Sequence, residues 1–312
     1  MKGKLFQAKT RFLVAALACT VTVASQAQAA VDDARIGAIV DSTAPAQYTL
    51  AEGTAACPTG QRAIGGGIVQ SGPADDLTLR ASGPLDQVGG SVADIRNGDK
   101  PRAWYAAATN EAPGSVSFRV FAVCATSKVK MRVKQFAMPA GQAAQRSVRC
   151  PRKQQAVGGG VLPGGGAGGS FVLENGPTDA SGSFRKTRSG DAPRRWRAIM
   201  QNQGGSDYFK VLAVCAPPST KAKLKVKRRK LSTTDAVRDA LVPCPGGKRA
   251  VGGGVLHNRG LEGYFGVAPS GPLDAGGIPV DTTVGDVPKQ WYGGLGNIFA
   301  SSAKLKVAAI CA

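Results

Sequence analysis

Apolar and polar residues alternate in short runs along most of this chain. WYAAATN (104–110), KVKMRVK (128–134) and KAKLKVK (221–227) sort one kind of residue from another by parity, and side chains two apart on a strand share a face. Runs rich in Val, Ile, Phe and Thr are separated by clusters of Gly, Pro, Asn and Asp every 8 to 12 residues, with no long stretch at helical period. The pattern predicts an all-β protein.

The runs repeat with a period of about 93 residues. Each copy opens on a Cys-Pro segment that leads into three glycines: CPTGQRAIGGGI from Cys57, CPRKQQAVGGGV from Cys150 and CPGGKRAVGGGV from Cys244. Each continues through G-P-x-D to GDKPRAW (98–104), GDAPRRW (190–196) or GDVPKQW (285–291), followed six residues later by Asn110, Asn202 or Asn297. Each closes on (K/R)-V-x-A-x-C at Cys124, Cys215 and Cys311. The expected division is a leader over 1–29 and copies over 30–126, 127–217 and 218–312.

Parity assigns the tryptophans. Counting in twos from Trp104, Trp196 and Trp291 reaches only Ala, Met, Leu or Gly before the Asn, so these indoles are expected in the core rather than on a stacking platform. The opposite face, with Tyr105 and Thr109 or Arg197 and Gln201, is expected to meet water. The glycine triples fit a bulge or a close approach in a strand, because the Lys-(Ser/Thr) and helix of a phosphate loop are missing. GGGVLPGGGAGG (158–169) is expected to be a mobile loop.

The N-terminus has its own composition: Lys2, Lys4, Lys9 and Arg11, an apolar run over 12–24, and Ala27-Gln28-Ala29. This is the pattern of a secretory signal peptide cleaved after Ala29, and the run is short for a membrane span. A lipid anchor on Cys19 is the weaker alternative. Removal leaves Cys57, Cys124, Cys150, Cys215, Cys244 and Cys311, an even count that reads as disulfides in an exported protein. One opening and one closing cysteine per copy favours Cys57–Cys124, Cys150–Cys215 and Cys244–Cys311 over bridges between copies. Without a C-x-x-C pair or a nearby His, no zinc site is expected.

Candidate chemistry is sparse. His257 is the one histidine of the chain and is expected in a loop. The aspartates Asp86 and Asp99, Asp179 and Asp191, and Asp274 and Asp286 could serve as acid and base or bind calcium, but all lie in turn sequences where Asp bonds its own backbone. No catalytic residue, metal or cofactor is predicted.

Charge changes the picture. Residues 34–126 carry 7 Lys and Arg against 8 Asp and Glu, residues 127–217 carry 15 against 4, and residues 218–312 carry 14 against 6. Part of the excess lies in two one-sided ribbons, Lys128, Lys130, Arg132 and Lys134, then Lys221, Lys223, Lys225 and Lys227. Copy one has ARIGAIV (34–40) there, so the repeat does not require the cations. They could merely protect sheet edges, or attract an anionic polymer or a cell-envelope surface. Few aromatics interleave with them, which argues against nucleic acid.

The C-P-x-G-x-x-A-x-G-G-G opening, the mid-unit Trp and the V-x-A-x-C ending resemble exported bacterial repeat units of unassigned function, some of them single copies. The resemblance spans about 31–312 and implies export, an all-β unit and no established catalysis. Copy two departs from it with Arg152-Lys153 in place of the turn glycine. A looser similarity is to the vitelline membrane outer layer family, which implies a threefold β-prism. The expected architecture is three tandem disulfide-stapled β-sandwich-like repeats, with one threefold β-prism as the alternative. The expected function is a secreted, non-enzymatic binding or envelope-associated protein. Carbohydrate binding through the Trp and Asp-turn region is the first alternative and an Asp-dependent glycan hydrolase the second.

Overall fold

The structure, a computed structural model, describes residues 31–261, 265–297 and 301–312, so the leader and its cleavage site lie outside the described residues. Among the described residues the chain is all-β, with eighteen strands, four short 3-10 turns and no α-helix. Copy one supplies β1 (Arg35–Ala44), β2 (Leu50–Ala56), β3 (Arg62–Gln70), β4 (Leu77–Leu85), β5 (Ala103–Asn110) and β6 (Val116–Ala125). Copy two supplies β7 (Lys130–Met138), β8 (Ala143–Arg149), β9 (Gln155–Pro163), β10 (Ser170–Thr178), β11 (Arg195–Asn202) and β12 (Asp207–Ala216). Copy three supplies β13 (Lys223–Leu231), β14 (Val237–Pro243), β15 (Ala250–His257), β16 (Phe265–Leu273), β17 (Gln290–Asn297) and β18 (Ala303–Cys311).

Within each copy the first, sixth and third strands form one half-sheet and the second, fifth and fourth form another, packed against it. Each half then continues into a neighbouring copy. The three six-stranded sheets run β1-β6-β3-β16-β17-β14, β13-β18-β15-β10-β11-β8 and β2-β5-β4-β9-β12-β7. Copy one therefore joins copy three, three joins two, and two joins one, so the sandwich-like halves close into a threefold cycle. The three junctions use equivalent residues, Ser270 opposite Ile68, Asn175 opposite Val255 and Ser82 opposite Val161. One continuous apolar core includes residues of all three copies.

The glycine triple makes this closure possible, and each of its positions does something different. Strand β3 bulges at Ile64, β9 at Val157 and β15 at Val251, which frees a carbonyl from the regular ladder. The first glycine of a neighbouring triple faces that oxygen: Gly158 meets Ile64, Gly252 meets Val157 and Gly65 meets Val251. The hydrogen standing where a Cβ would be is aimed at the carbonyl, a recurring weak Cα–H···O contact. The second glycine (Gly66, Gly159, Gly253) lies under the indole of Trp104, Trp196 or Trp291, and the third (Gly67, Gly160, Gly254) against the Ser270, Ser82 or Asn175 backbone across the junction. Residues 158–163 are thus strand rather than loop; only 164–169 form the connection to β10.

The three indoles are 1–2% exposed. Each N–H donates to the residue at its junction, Trp104 to Ser82 Oγ at 3.0 Å, Trp196 to Asn175 Oδ1 at 2.6 Å and Trp291 to Ser270 Oγ at 3.0 Å. Disulfides Cys57–Cys124, Cys150–Cys215 and Cys244–Cys311 lie within copies, a chemistry that belongs to oxidising compartments. The face opposite the tryptophans does not meet water as parity suggests. Thr109 and Arg197 are buried and Tyr105 and Gln201 half-buried; Arg80 lies on Thr109 and rests in turn on Phe171 of copy two, while Arg197 pairs with Glu174 of its own copy and Tyr105 donates to Glu52. At the turn where copy two lacks glycine, Lys153 adopts φ 70°, matching Gly60 at 86° and Gly247 at 75°, at a cost of about 1–2 kcal/mol for a non-glycine residue.

Candidate functional site

Most of the repeated polar positions serve the cycle. In G-D-x-P the glycine has a left-handed φ of 95°, 92° or 96° at Gly98, Gly190 and Gly285, which favours a residue without Cβ. The Gly N–H donates to, and the Asp carbonyl accepts from, the first strand of the next copy. Gly98 and Asp99 pair with Met131, Gly190 and Asp191 with Leu224, and Gly285 and Asp286 with Ile36. The carboxylates of Asp99, Asp191 and Asp286 accept the N–H of Arg96, Arg188 and Thr283, each at 2.6 Å, and so shape the turn. Asp179 and Asp274 likewise accept from the nearby Ser181 and Gly277 backbone.

The basic residue of the closing motif is a clamp between copies. Lys210 Nζ donates to the carbonyls of Val92, Ala93 and Ile95 at 2.7, 2.8 and 3.0 Å. Lys306 Nζ donates to the Phe184 and Thr187 carbonyls. Arg119 Nη1 donates to Pro279, Val280 and Thr282 at 3.0, 3.2 and 3.0 Å. Sequence reasoning used this residue only to align the repeats. Its signal was the retained positive charge in an otherwise apolar closing strand.

His257 is not in a loop. It ends β15, fully buried, and its backbone N–H donates to Glu174 Oε2 at 3.2 Å. Glu174 is also ion-paired with the buried Arg197, whose Nη2 donates at 3.2 Å. Burial pushes the Glu174 carboxyl up to about 7 despite Arg197, and burial followed by the Arg197 charge lowers His257 to about 4. The three side chains lie between β10, β11 and β15, all buried. Among the described residues no group of three or more His, Cys, Asp or Glu side chains is arranged to hold a metal ion.

What distinguishes the copies is their surface charge. Lys128, Lys130, Arg132 and Lys134 are exposed, while Val129, Met131 and Val133 between them are buried. Lys130, Arg132 and Lys134 lie on β7, which ends its sheet, and Lys128 stands just before it. Lys128, Lys130 and Arg132 also line a cleft of about 460 Å³ beside Asn97 and Gly98 of copy one. On the equivalent edge strand β13, Lys223 and Lys225 are exposed, as is Lys221 just before it. Lys227 is half-buried, with Nζ donating to the Leu241 carbonyl at 3.4 Å. None of these eight side chains forms an ion pair with a carboxylate among the described residues. At the register positions of Lys223, Lys225 and Lys227, copy one places Arg35, Ala38 and Val40.

A separate cleft of about 440 Å³ is lined by all three copies, including Tyr48, Asp75, Glu111, Phe171, Gln201 and Asn297. Among the described residues no helix is long and apolar enough to cross a membrane. Comparison of the chain with known protein families and with curated proteins finds no match.

Proposed function

We propose that this is a secreted, non-enzymatic protein that adheres to polyanions, such as an anionic polymer of the cell envelope, through the basic edge strands of copies two and three. The observation that carries the reading is the contrast between equivalent strands. β1 shares the first cation, as Arg35, but displays Ala38 and Val40 where β7 has Arg132 and Lys134 and β13 has Lys225 and Lys227, so these later cations are additions to a fold that closes without them. The disulfides suit an oxidising compartment, and the leader-like composition of residues 1–29 suits export.

The test is retention of the chain lacking residues 1–29 on an immobilised polyphosphate matrix over a range of NaCl. Counterion release makes such binding fall steeply with salt. Replacing Lys128, Lys130, Arg132 and Lys134 by Gln should flatten that dependence and elute the protein earlier. Retention indifferent to salt, or unchanged in the Gln variant, would refute the reading.

Carbohydrate binding keeps one observation in its favour. It is the cleft around the exposed Tyr48, since the tryptophans are enclosed. Sugar-dependent protection of Tyr48 from chemical modification would favour it.

A further inference from the structure

The even-numbered residues at the end of β13 face the other way from the ribbon, and there the charge is concentrated. Register places Arg228 opposite Lys306 and Lys230 opposite Lys304, so two like-charge pairs stand face to face on neighbouring strands, an arrangement that destabilises a sheet. Over them lies the copy-two loop that Lys306 clamps, with the exposed Arg185 and the half-buried Phe184. Together these residues line a concave cleft of about 420 Å³. No carboxylate is ion-paired with any of these cations among the described residues.

The other two copies supply internal controls. Where copy three has Arg228 opposite Lys306, copy one has Asp41 opposite Arg119, ion-paired at 2.9 Å, and copy two has Gln135 opposite Lys210. Where copy three has Lys230 opposite Lys304, copy one has Thr43 opposite Ser117 and copy two Ala137 opposite Tyr208. The clamped carbonyls align Arg185 with Ala93 and Val280. The fold thus accepts an acid, an amide or an alanine at these places, and only one of three equivalent surfaces is cationic at all of them. Burial, then the Arg228 and Arg188 charges, hold the Lys306 ammonium down to about 8, while Asp179 and Asp191 act weakly in the opposite sense.

We propose that this cleft is a binding site for a phosphate-type oxyanion, with Arg185, Arg228, Lys230 and Lys304 as its ligands. The two guanidinium groups present paired N–H donors suited to phosphate oxygens, and the two ammonium groups add charge without geometric demand. A multiply charged phosphate would neutralise the two facing cation pairs together. The inference deepens the polyanion reading, on which the natural ligand rests, but it uses the opposite face of β13 and different side chains.

The experiment is calorimetric titration of the chain lacking residues 1–29 with pyrophosphate, and with sulfate in parallel. One saturable site is expected, with sulfate at least tenfold weaker. Arg228→Asp, which copies the arrangement at Asp41, and Arg185→Ala, which copies Ala93, should each weaken pyrophosphate at least tenfold. A Lys248→Gln variant, which removes an exposed cation outside both the ribbons and the cleft, should stay within twofold of wild type. If Arg228→Asp does not fold, as judged by its thermal transition, Arg185→Ala decides the matter alone. Absence of saturable binding, equal affinity for sulfate, or undiminished affinity in the folded variants overturns the site. Failure of the ribbon reading shows differently, as polyphosphate retention that survives the β7 changes while the pyrophosphate titration still responds to Arg228→Asp.

Discussion

Replacing Gly158 by Ala probes whether the three copies share one structure. An added Cβ would stand 2.1 Å from the Ile64 carbonyl oxygen of copy one, whereas real Cβ atoms essentially never approach within 3.0 Å. Strands β9 and β3 would therefore have to separate by about 1 Å in an interior packed as densely as a crystal. Both sides of the contact are backbone, so no rotamer change relieves it, and the adjoining Ser82–Val161 junction is strained as well. Overpacking of a tight core costs about 1–3 kcal/mol, and with a junction disturbed we expect about 3 kcal/mol or more. The assay is equilibrium urea unfolding followed by tryptophan emission, because Trp196 rests on the adjacent Gly159, with stability taken by linear extrapolation. Gly114, where a Cβ meets nothing within 4 Å, is the control, and its Ala variant should lie within about 0.5 kcal/mol of wild type. Gly65→Ala and Gly252→Ala, whose Cβ atoms would lie 2.0 and 2.2 Å from Val251 and Val157, should cost about as much as Gly158→Ala. A Gly158→Ala protein as stable as the Gly114 control, or one in which copy two melts in a transition of its own, would refute the shared core.

Two further outcomes follow from buried groups and cross-links. Glu174, at about 7 against 4.5, holds a proton in the folded state that the unfolded chain releases, so its contribution makes stability fall as pH rises from 4.5 to 7. His257, at about 4 against 6.5, does the reverse, because the unfolded chain binds the proton and stability falls as pH drops from 6.5 to 4. The two contributions oppose each other between pH 4.5 and 6.5, so Glu174→Gln, which keeps only that of His257, should lose stability toward acid more steeply than wild type; parallel urea midpoints for the two proteins across that range would contradict this. Changing Cys150 and Cys215 together to Ser opens a loop with a sequence separation of 65 and should cost about 4 kcal/mol in the chain-entropy account, and an unshifted urea midpoint would count against it.

The strands, the three copies and the tryptophan face were legible because each depends on local order, a period of two within strands or of about 93 between copies. Parity sorts residues to faces but does not say what covers a face, and so Thr109 and Arg197 were assigned to water although Arg80 lies on one and Glu174 on the other. The same limit left a closed threefold arrangement as only the alternative reading, since Ile68 and Ser270, or Gly98 and Met131, meet across distances along the chain that no local rule connects. The G-D turn was readable as a turn, whereas its second duty on the next copy's edge strand is a matter of tertiary position. Charge was legible as a difference between copies, yet only the register of β13 against β18 reveals that Arg228 faces Lys306. His257 was misplaced because its chain equivalents, Gln70 and Pro163, gave no hint of the Glu174–Arg197 pair that surrounds it.

The closing of the sheets also bears on how such a molecule could arise. The turn contacts between copies run from one unit to the next in the same sense, and the last unit returns to the first through Gly285, Asp286 and Ile36. Nothing in that geometry demands peptide bonds between the units. A polypeptide holding a single unit could satisfy the same contacts by assembling as a homotrimer with cyclic symmetry, and gene triplication would then convert three identical surfaces into three that can diverge. The cationic cleft beside Arg228 is the kind of asymmetry that a fused trimer can carry and an assembly of three identical chains cannot.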